Sequence, residues 1–165
     1  MTVRPIRPDD VPAVVALVRE LAEYEKAPDE ARMTEEQLDA ALFGDFPALF
    51  GHVAVAEQGA RPAVVGMALW FLNFSTWRGT HGIYLEDLYV QPQHRGTGLG
   101  RELLRTLAEV CVQRGYGRLE WSVLDWNTPS IEFYEAAGAV PMDGWTVFRL
   151  TDDALATFAQ PRAAS

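Results

Sequence analysis

Three glycines at alternate positions lie in the run Arg95-Gly96-Thr97-Gly98-Leu99-Gly100-Arg101. Glycine at that spacing lets a backbone turn tightly and aim successive N–H groups at one point. A helical pattern begins at once, so unpaired first-turn N–H groups and the positive end of the helix dipole face the same spot. Arg95 and Arg101 flank the turn and can add charge-assisted hydrogen bonds. Together these features make an anion cradle suited to a pyrophosphate. A nucleotide P-loop would place Lys-Ser or Lys-Thr after its last glycine, where this chain has Arg101-Glu102. The dinucleotide fingerprint, G-x-G-x-x-G, follows directly on a first strand. Here the spacing is G-x-G-x-G, the preceding strand comes late in the chain, and Gln91 to Arg95 intervene. Glu120 does stand twenty residues past Gly100, the kind of match that chance supplies. A glycine-rich turn with no ligand is the plain alternative.

Just ahead of the cradle runs Tyr84-Leu85-Glu86-Asp87-Leu88-Tyr89-Val90, an apolar strand carrying two adjacent carboxylates. Alternation puts Tyr84, Glu86 and Leu88 on one face and Leu85, Asp87 and Tyr89 on the other. Other reactive side chains offer less. Cys111 falls on the apolar stripe of a helix, where a buried thiol is inert. His52, His81 and His94 have no metal-ligand spacing, so no metal site is expected, and His94 borders the cradle.

The elements that must position these groups follow from periodicity. A short strand over 3–7 ends at Pro8, and Asp9 or Asp10 can cap a helix reaching to about Lys26. Its apolar residues Val11, Val14, Val15, Val18, Leu21 and Ala22 recur at helical spacing. Thr34 and Gln37 fit a capping box for a second helix to about Leu42. Strands are predicted over 52–57, 64–74 and 83–90, with Arg61-Pro62 marking a hairpin. A strong helix covers 98–114 and stops at Gly115. It is followed by a strand over 119–124, a helix over 128–137 closed by Gly138, and a last strand over 145–150. The order β-α-α-β-β-β-α-β-α-β is a mixed α/β domain with an antiparallel first half and a late β-α-β crossover.

Composition limits the partners. The chain has 165 residues, 48% hydrophobic and 22% charged, and predicts a single domain over 1–160 with a tail at 161–165. Fourteen basic residues against 23 acidic give a net charge of −9, and Lys26 is the one lysine. That balance argues against nucleic acid, which needs clustered cations, and favours cationic small molecules through the long-range field. No apolar run is long enough to cross a membrane, and the N-terminus lacks an apolar signal core. With a single cysteine there is no internal disulfide. The expectation is a reduced, cytoplasmic protein.

The run Gln93-His94-Arg95-Gly96-Thr97-Gly98, after an acidic-apolar strand and before an amphipathic helix, resembles the acetyl-CoA site of the GNAT superfamily of N-acetyltransferases. The resemblance extends from Ile6-Arg7-Pro8 to the segment containing Phe148. Within that superfamily, five blocks look like the diamine (spermidine/spermine) and thialysine acetyltransferases. These are Glu20 to Glu25, Ser75-Thr76-Trp77, Tyr84 to Val90, Leu124-Asp125-Trp126-Asn127 and Gly144-Trp145.

The resemblance implies a GNAT-type mixed sheet with an acetyl-CoA cleft between its two middle strands, and direct acetyl transfer to an amine in a ternary complex. A primary alkylamine has a pKa of ~10.4, so at pH 7 about one molecule in 2,500 is neutral, a handicap of roughly 4.6 kcal/mol. A base is therefore needed, and Glu86 matches the family's general base, acting partly through water. Tyr134 matches the general acid that assists the departing thiolate. Leu88, Tyr89 and Val90 are expected to pair with the pantetheine, with a backbone N–H near Leu88 facing the acyl oxygen. Arg95, Gly96, Thr97, Gly98, Leu99, Gly100 and Arg101 are expected to hold the pyrophosphate, and Asn127 and Ser130 to contact the pantetheine. Tyr24 and Glu25 match amine-binding positions, with Trp77 and Asp87 as further walls. The implied acceptor is a small cationic amine, either a lysine-like amino acid or a di- or polyamine. The alternatives are a protein lysine or N-terminus as acceptor, or a silent acyl-CoA-binding module. Relatives form homodimers, and Trp70, Phe71, Phe74 and Trp126 are candidate interface aromatics.

Overall fold

The computed structural model describes residues 1–58 and 61–161 and divides into two compact units, Met1–Thr128 and Pro129–Ser165. The first unit holds a five-stranded mixed sheet of β1 (Thr2–Pro5), β2 (Phe50–Gln58), β3 (Arg61–Ser75), β4 (Thr80–Val90) and β5 (Leu119–Glu120), in that spatial order. Strands β1 to β4 are antiparallel, and β5 lies parallel to β4. The predicted hairpin at Arg61-Pro62 is the β2–β3 pair, in register through Gln58 and Arg61; its turn, at 59–60, lies outside the described residues.

Helices cover both faces of this sheet. On one side α1 (Val11–Tyr24) and α2 (Glu35–Phe43) bury Val14, Val15, Leu17 and Leu38 against Val53, Met67, Leu69 and Tyr89. The predicted capping box starts α2: Thr34 Oγ1 accepts the Gln37 N–H at 3.2 Å, and Gln37 Oε1 accepts the Thr34 N–H at 3.0 Å. The last helix of this unit, α3 (Leu99–Arg114), packs on the sheet through Leu99, Leu103, Leu104, Leu107 and Cys111 and ends at Gly115, whose φ of 68° only glycine adopts freely.

Three expectations are corrected. Pairing in β5 stops at Glu120 instead of continuing to 124: no ladder partner is described for 121–124, and the chain then turns, with Asn127 N–H on the Leu124 carbonyl at 2.8 Å. Trp70 is buried at 3% exposure rather than on the surface, since its indole N–H donates to His52 Nδ1 at 3.2 Å and its ring stacks on Phe50. The third concerns the second unit. There α4 (Thr128–Ala136) closes at Gly138 as predicted, but 145–150 form no strand. The alternating pattern records β propensity, and a strand also needs a ladder partner. No described residue pairs with this segment, and Trp145, Val147 and Phe148 are exposed. A short helix that the periodicity did not predict, α5 (Asp152–Phe158), follows it.

A partly buried ion pair joins β1 to the start of α1. Arg4 grips Asp10 with both terminal nitrogens, at 2.6 and 2.8 Å, and the Arg7 N–H donates to the same carboxylate at 2.8 Å. Burial pushes the Asp10 carboxyl up, but Arg4 and the Arg7 N–H outweigh it and hold it below its ordinary value. A depressed carboxyl stabilises the fold above its unfolded pKa and loses that contribution as pH falls. Asp10→Asn should therefore destabilise the protein by roughly 2–3 kcal/mol in urea melts at pH 7. The gap to wild type should narrow as the pH approaches 3; a gap independent of pH would assign the loss to packing alone.

Candidate active site

The glycine cradle connects β4 to α3. A 3-10 turn at Pro92–His94 leads into it, and Thr97 Oγ1 donates to the His94 carbonyl at 2.6 Å, tightening the loop. Gly96 and Gly98 have φ of 74° and 88°, in the left-handed region where a side chain strains the backbone. A Cβ added to either would meet nothing within 4 Å, so the space beside the loop is open. Gly98 is the N-cap of α3 and supplies no capping side chain. The first-turn N–H groups from Leu99 to Arg101 therefore lack the internal acceptor that Ser or Asp would provide, and an external anion fits there.

Strand β4 supplies the rest of the site. It pairs with β5 only at Ile83–Leu119 and Tyr84–Glu120, so beyond Tyr84 its outer edge carries no strand among the described residues. On the inner side, the Gln91 N–H donates to the Val65 carbonyl of β3 at 3.0 Å. Alternation along an antiparallel ladder then turns Tyr89 inward and the peptide groups of Leu88 and Val90 toward the open edge. Arg95 Nε occupies the Val90 carbonyl at 2.9 Å, and Leu88 presents an N–H and a C=O to that edge.

The predicted faces of β4 do not survive intact. Leu69 pairs with Asp87 and its neighbour Trp70 with Leu85, so Glu86 is the extra residue of a β-bulge. Leu85 and Asp87 consequently lie on opposite faces rather than together. Asp87 shares the face of Tyr89, toward α1, while Glu86 is exposed at the bulge. Burial, then Glu86, then Glu25 at the C-terminal end of α1 push the Asp87 carboxyl up to about 6. Burial also raises Glu25. Three carboxylates thus share one corner of the first unit, where a cation would relieve their repulsion.

Tyr24, the last residue of α1, is engaged on several sides. Its hydroxyl donates to Oδ1 of the buried Asn127 at 3.1 Å. The Arg95 guanidinium lies 5.0 Å from its ring centroid and 5.4 Å from that of Tyr89. The Trp126 ring is 6.2 Å away, and Lys26 Nζ sits 4.6 Å from the Trp126 centroid. Sequence reasoning did not find Glu20 and Gln91, which bond each other at 2.9 Å and tie α1 to the residue after β4. Glu20 also accepts from the Tyr89 phenol, which burial and that carboxylate push up. The cue was faint: Glu20 falls among several acidic residues on a helix end, most of them facing solvent.

The other candidates have simpler settings. Trp77 stands at the β3–β4 turn and is 90% exposed. Arg101 is exposed on the first turn of α3. Ser130 and Tyr134 both lie on α4 in the second unit, one helical turn apart and so on one side of that helix, and Phe133 packs beside Tyr134 with ring centroids 5.3 Å apart. Cys111 is buried with its thiol pushed up by burial. Among the described residues, no group of three His, Cys, Asp or Glu is placed to hold a metal.

The family model described as Acetyltransferase (GNAT) family matches residues 14–139. The chain belongs to the GNAT family. Its members are acetyltransferases that use acetyl-CoA as co-substrate. A thialysine N-epsilon-acetyltransferase of Bos taurus is 40% identical over 162 residues, covering 93% of this chain and 94% of that protein. A spermidine/spermine N(1)-acetyltransferase-like protein of Homo sapiens is 30% identical over 152 residues, covering 88% of this chain and 22% of that longer protein. The fold also matches a solved structure, an integron cassette protein from the mobile metagenome of V. cholerae. That match has a TM-score of 0.79 at 23% identity and covers 97% of this chain and 98% of the other. This GNAT chain has no described helix long and apolar enough to cross a membrane.

The acidic corner has a stability consequence. Because the folded protein holds the Asp87 proton more tightly than the unfolded chain does, ionising Asp87 opposes folding, and stability falls as pH rises from about 4 through about 6. Asp87→Asn should raise stability at pH 7 by roughly 1–2 kcal/mol and leave it unchanged near pH 4. Paired thermal melts at the two pH values check this, and an equal effect at both would refute the electrostatic origin.

Proposed function

We propose that the chain transfers the acetyl group of acetyl-CoA to a primary amine of a small cationic acceptor, a thialysine- or lysine-like amino acid or a short di- or polyamine. One observation carries the proposal: along a single strand, an acidic bulge at Glu86-Asp87 is followed within two residues by an uncovered backbone edge that runs into the glycine cradle. The residues suit the co-substrate: amides from Gly96 to Arg101 for the pyrophosphate, and the Leu88 carbonyl and Val90 N–H for the pantetheine amides. Acetyl-CoA brings a thioester whose carbonyl carbon accepts the amine nitrogen.

The chain's own residues do the rest. Glu25, Asp87 and Glu86 draw in the ammonium group, and the exposed Trp77 ring adds a cation-binding face. Glu86, the exposed member of the pair, takes the ammonium proton directly or through water, leaving the nitrogen lone pair free to form the C–N bond. The Leu88 N–H faces the charge that builds on the acyl oxygen as the C–N bond forms, a charge released again when the C–S bond breaks. Tyr134 is assigned as hydrogen-bond donor to the departing sulfur, with proton transfer late in the step, because a phenol near ~10 is a weaker acid than a thiol near ~8.5; the second proton that the nitrogen sheds on becoming an amide restores the phenol. Asn127 and Ser130 are assigned to the pantetheine. The proposal extends to a homodimer in a reducing cytoplasm. Phe74 and Trp126, each about half exposed, support an interface, and the mass in solution tests it.

Thiol release from acetyl-CoA should be fastest with thialysine, lysine or a small diamine and slow with a lysine peptide. Glu86→Gln should lower kcat roughly 100-fold while acetyl-CoA affinity holds. Tyr134→Phe should lower the rate more than the affinity. For a cationic acceptor, kcat/KM should climb as Asp87 ionises near pH 6, and Asp87→Asn should erase that inflection. Turnover of the peptide alone would move the acceptor to protein, and tight acetyl-CoA binding without turnover of any amine would leave a silent binding module.

A further inference from the structure

We infer that Tyr24 is a positioning residue for the acyl donor, acting through Asn127 and Arg95, rather than a contact for the amine. The inference rests on the acetyl-CoA reading above and assigns one residue within it. Tyr24 stands 103 positions from Asn127 in sequence, yet its hydroxyl hydrogen is spent on Asn127 Oδ1 at 3.1 Å. Asn127 is 6% exposed, and its backbone N–H is already committed to the Leu124 carbonyl.

An asparagine amide has an acceptor end and a donor end and can flip between two orientations of nearly equal shape. A phenol donating to Oδ1 breaks that symmetry and turns the NH₂ end away from Tyr24. The amide is thereby fixed as a donor, which a pantetheine carbonyl requires and an amine substrate does not.

The ring of Tyr24 serves the same side of the reaction. The Arg95 guanidinium lies over it at 5.0 Å and over Tyr89 at 5.4 Å, while Arg95 Nε donates to the Val90 carbonyl. Those contacts hold the residue that opens the glycine cradle at a fixed place relative to the end of β4. The face of Tyr24 and its hydroxyl are thus both committed to segments assigned to acetyl-CoA. Neighbouring Glu25 is the residue of this helix end that acts on Asp87.

The test compares Tyr24→Phe, Asn127→Ala and the double variant by calorimetric titration of the ligand-free proteins with coenzyme A, alongside the KM for thialysine. Tyr24→Phe keeps the ring under Arg95 and removes only the hydroxyl. It should weaken coenzyme A binding about three- to tenfold, the effect of one neutral hydrogen bond, and leave the thialysine KM within about twofold. In the Asn127→Ala background the same change should weaken coenzyme A binding no further, because the group it acts through is gone. Tyr24→Leu, which also removes the ring, should weaken coenzyme A binding more than Tyr24→Phe does. A raised thialysine KM with unchanged coenzyme A affinity in Tyr24→Phe overturns the inference and returns Tyr24 to the amine. Additive losses in the double variant overturn the route through Asn127. If the wild-type protein itself fails to bind coenzyme A, the acetyl-CoA reading falls and takes this one with it, a result distinct from the other two.

Discussion

The candidate site depends on one extra residue in β4. An unbroken antiparallel strand would continue the alternation through Glu86, keeping Leu85 and Asp87 on the same face. The bulge between the Trp70–Leu85 and Leu69–Asp87 pairs changes this. Leu85 stays in the sheet face opposite the α1 core, Asp87 moves to the α1 side beside Glu25, and Glu86 is left exposed between them. The same irregularity sets the phase of the rest of the strand, so that Leu88 turns its peptide groups to the edge that β5 leaves uncovered. A carboxylate corner and an unpaired backbone edge thus come from one local departure from regular pairing.

An acidic chain that holds a polyanion needs local fields that oppose its net charge. The peptide groups at the start of α3 and the left-handed glycines before it would supply them on the proposed assignment, since they carry partial positive charge whatever the sum of the side chains. Arginine contributes differently than its position in the motif predicts. Arg95 is fastened to the Val90 carbonyl and to two tyrosine rings, so part of its work is to join the cradle to β4 and α1. The acidic residues are grouped elsewhere, at the end of α1 and the β4 bulge. The two signs therefore occupy opposite ends of one short strand segment.

Much of the scaffold was legible because its signals are local. The capping box at Thr34, the apolar stripes of α1 and α3, and the glycine stop at Gly115 each depend on residues within a turn or two of one another. What was not legible depends on partners distant in the chain. Nothing in Leu85-Glu86-Asp87 marks a bulge, since it is a mismatch in register with β3. The Tyr24–Asn127 and Glu20–Gln91 bonds span 103 and 71 positions. Trp70 shows the same limit from the other side: an aromatic residue reads as surface or core only once His52 and Phe50 are known to meet it. Residues 145–150 show that alternation is a propensity waiting for a partner.

The acidic corner has a bearing on turnover as well as on capture. On the proposed assignment an amine would arrive at Glu25, Asp87 and Glu86 with a positive charge at the reacting nitrogen, and that nitrogen would leave as part of a neutral amide. The attraction at that nitrogen would then be withdrawn from the product by the reaction itself, without any movement of the protein. Asp87, whose ionisation a neighbouring cation favours, should take up its proton more readily once that cation is gone. Discharge of the ligand and reset of the pocket would then be one electrostatic event.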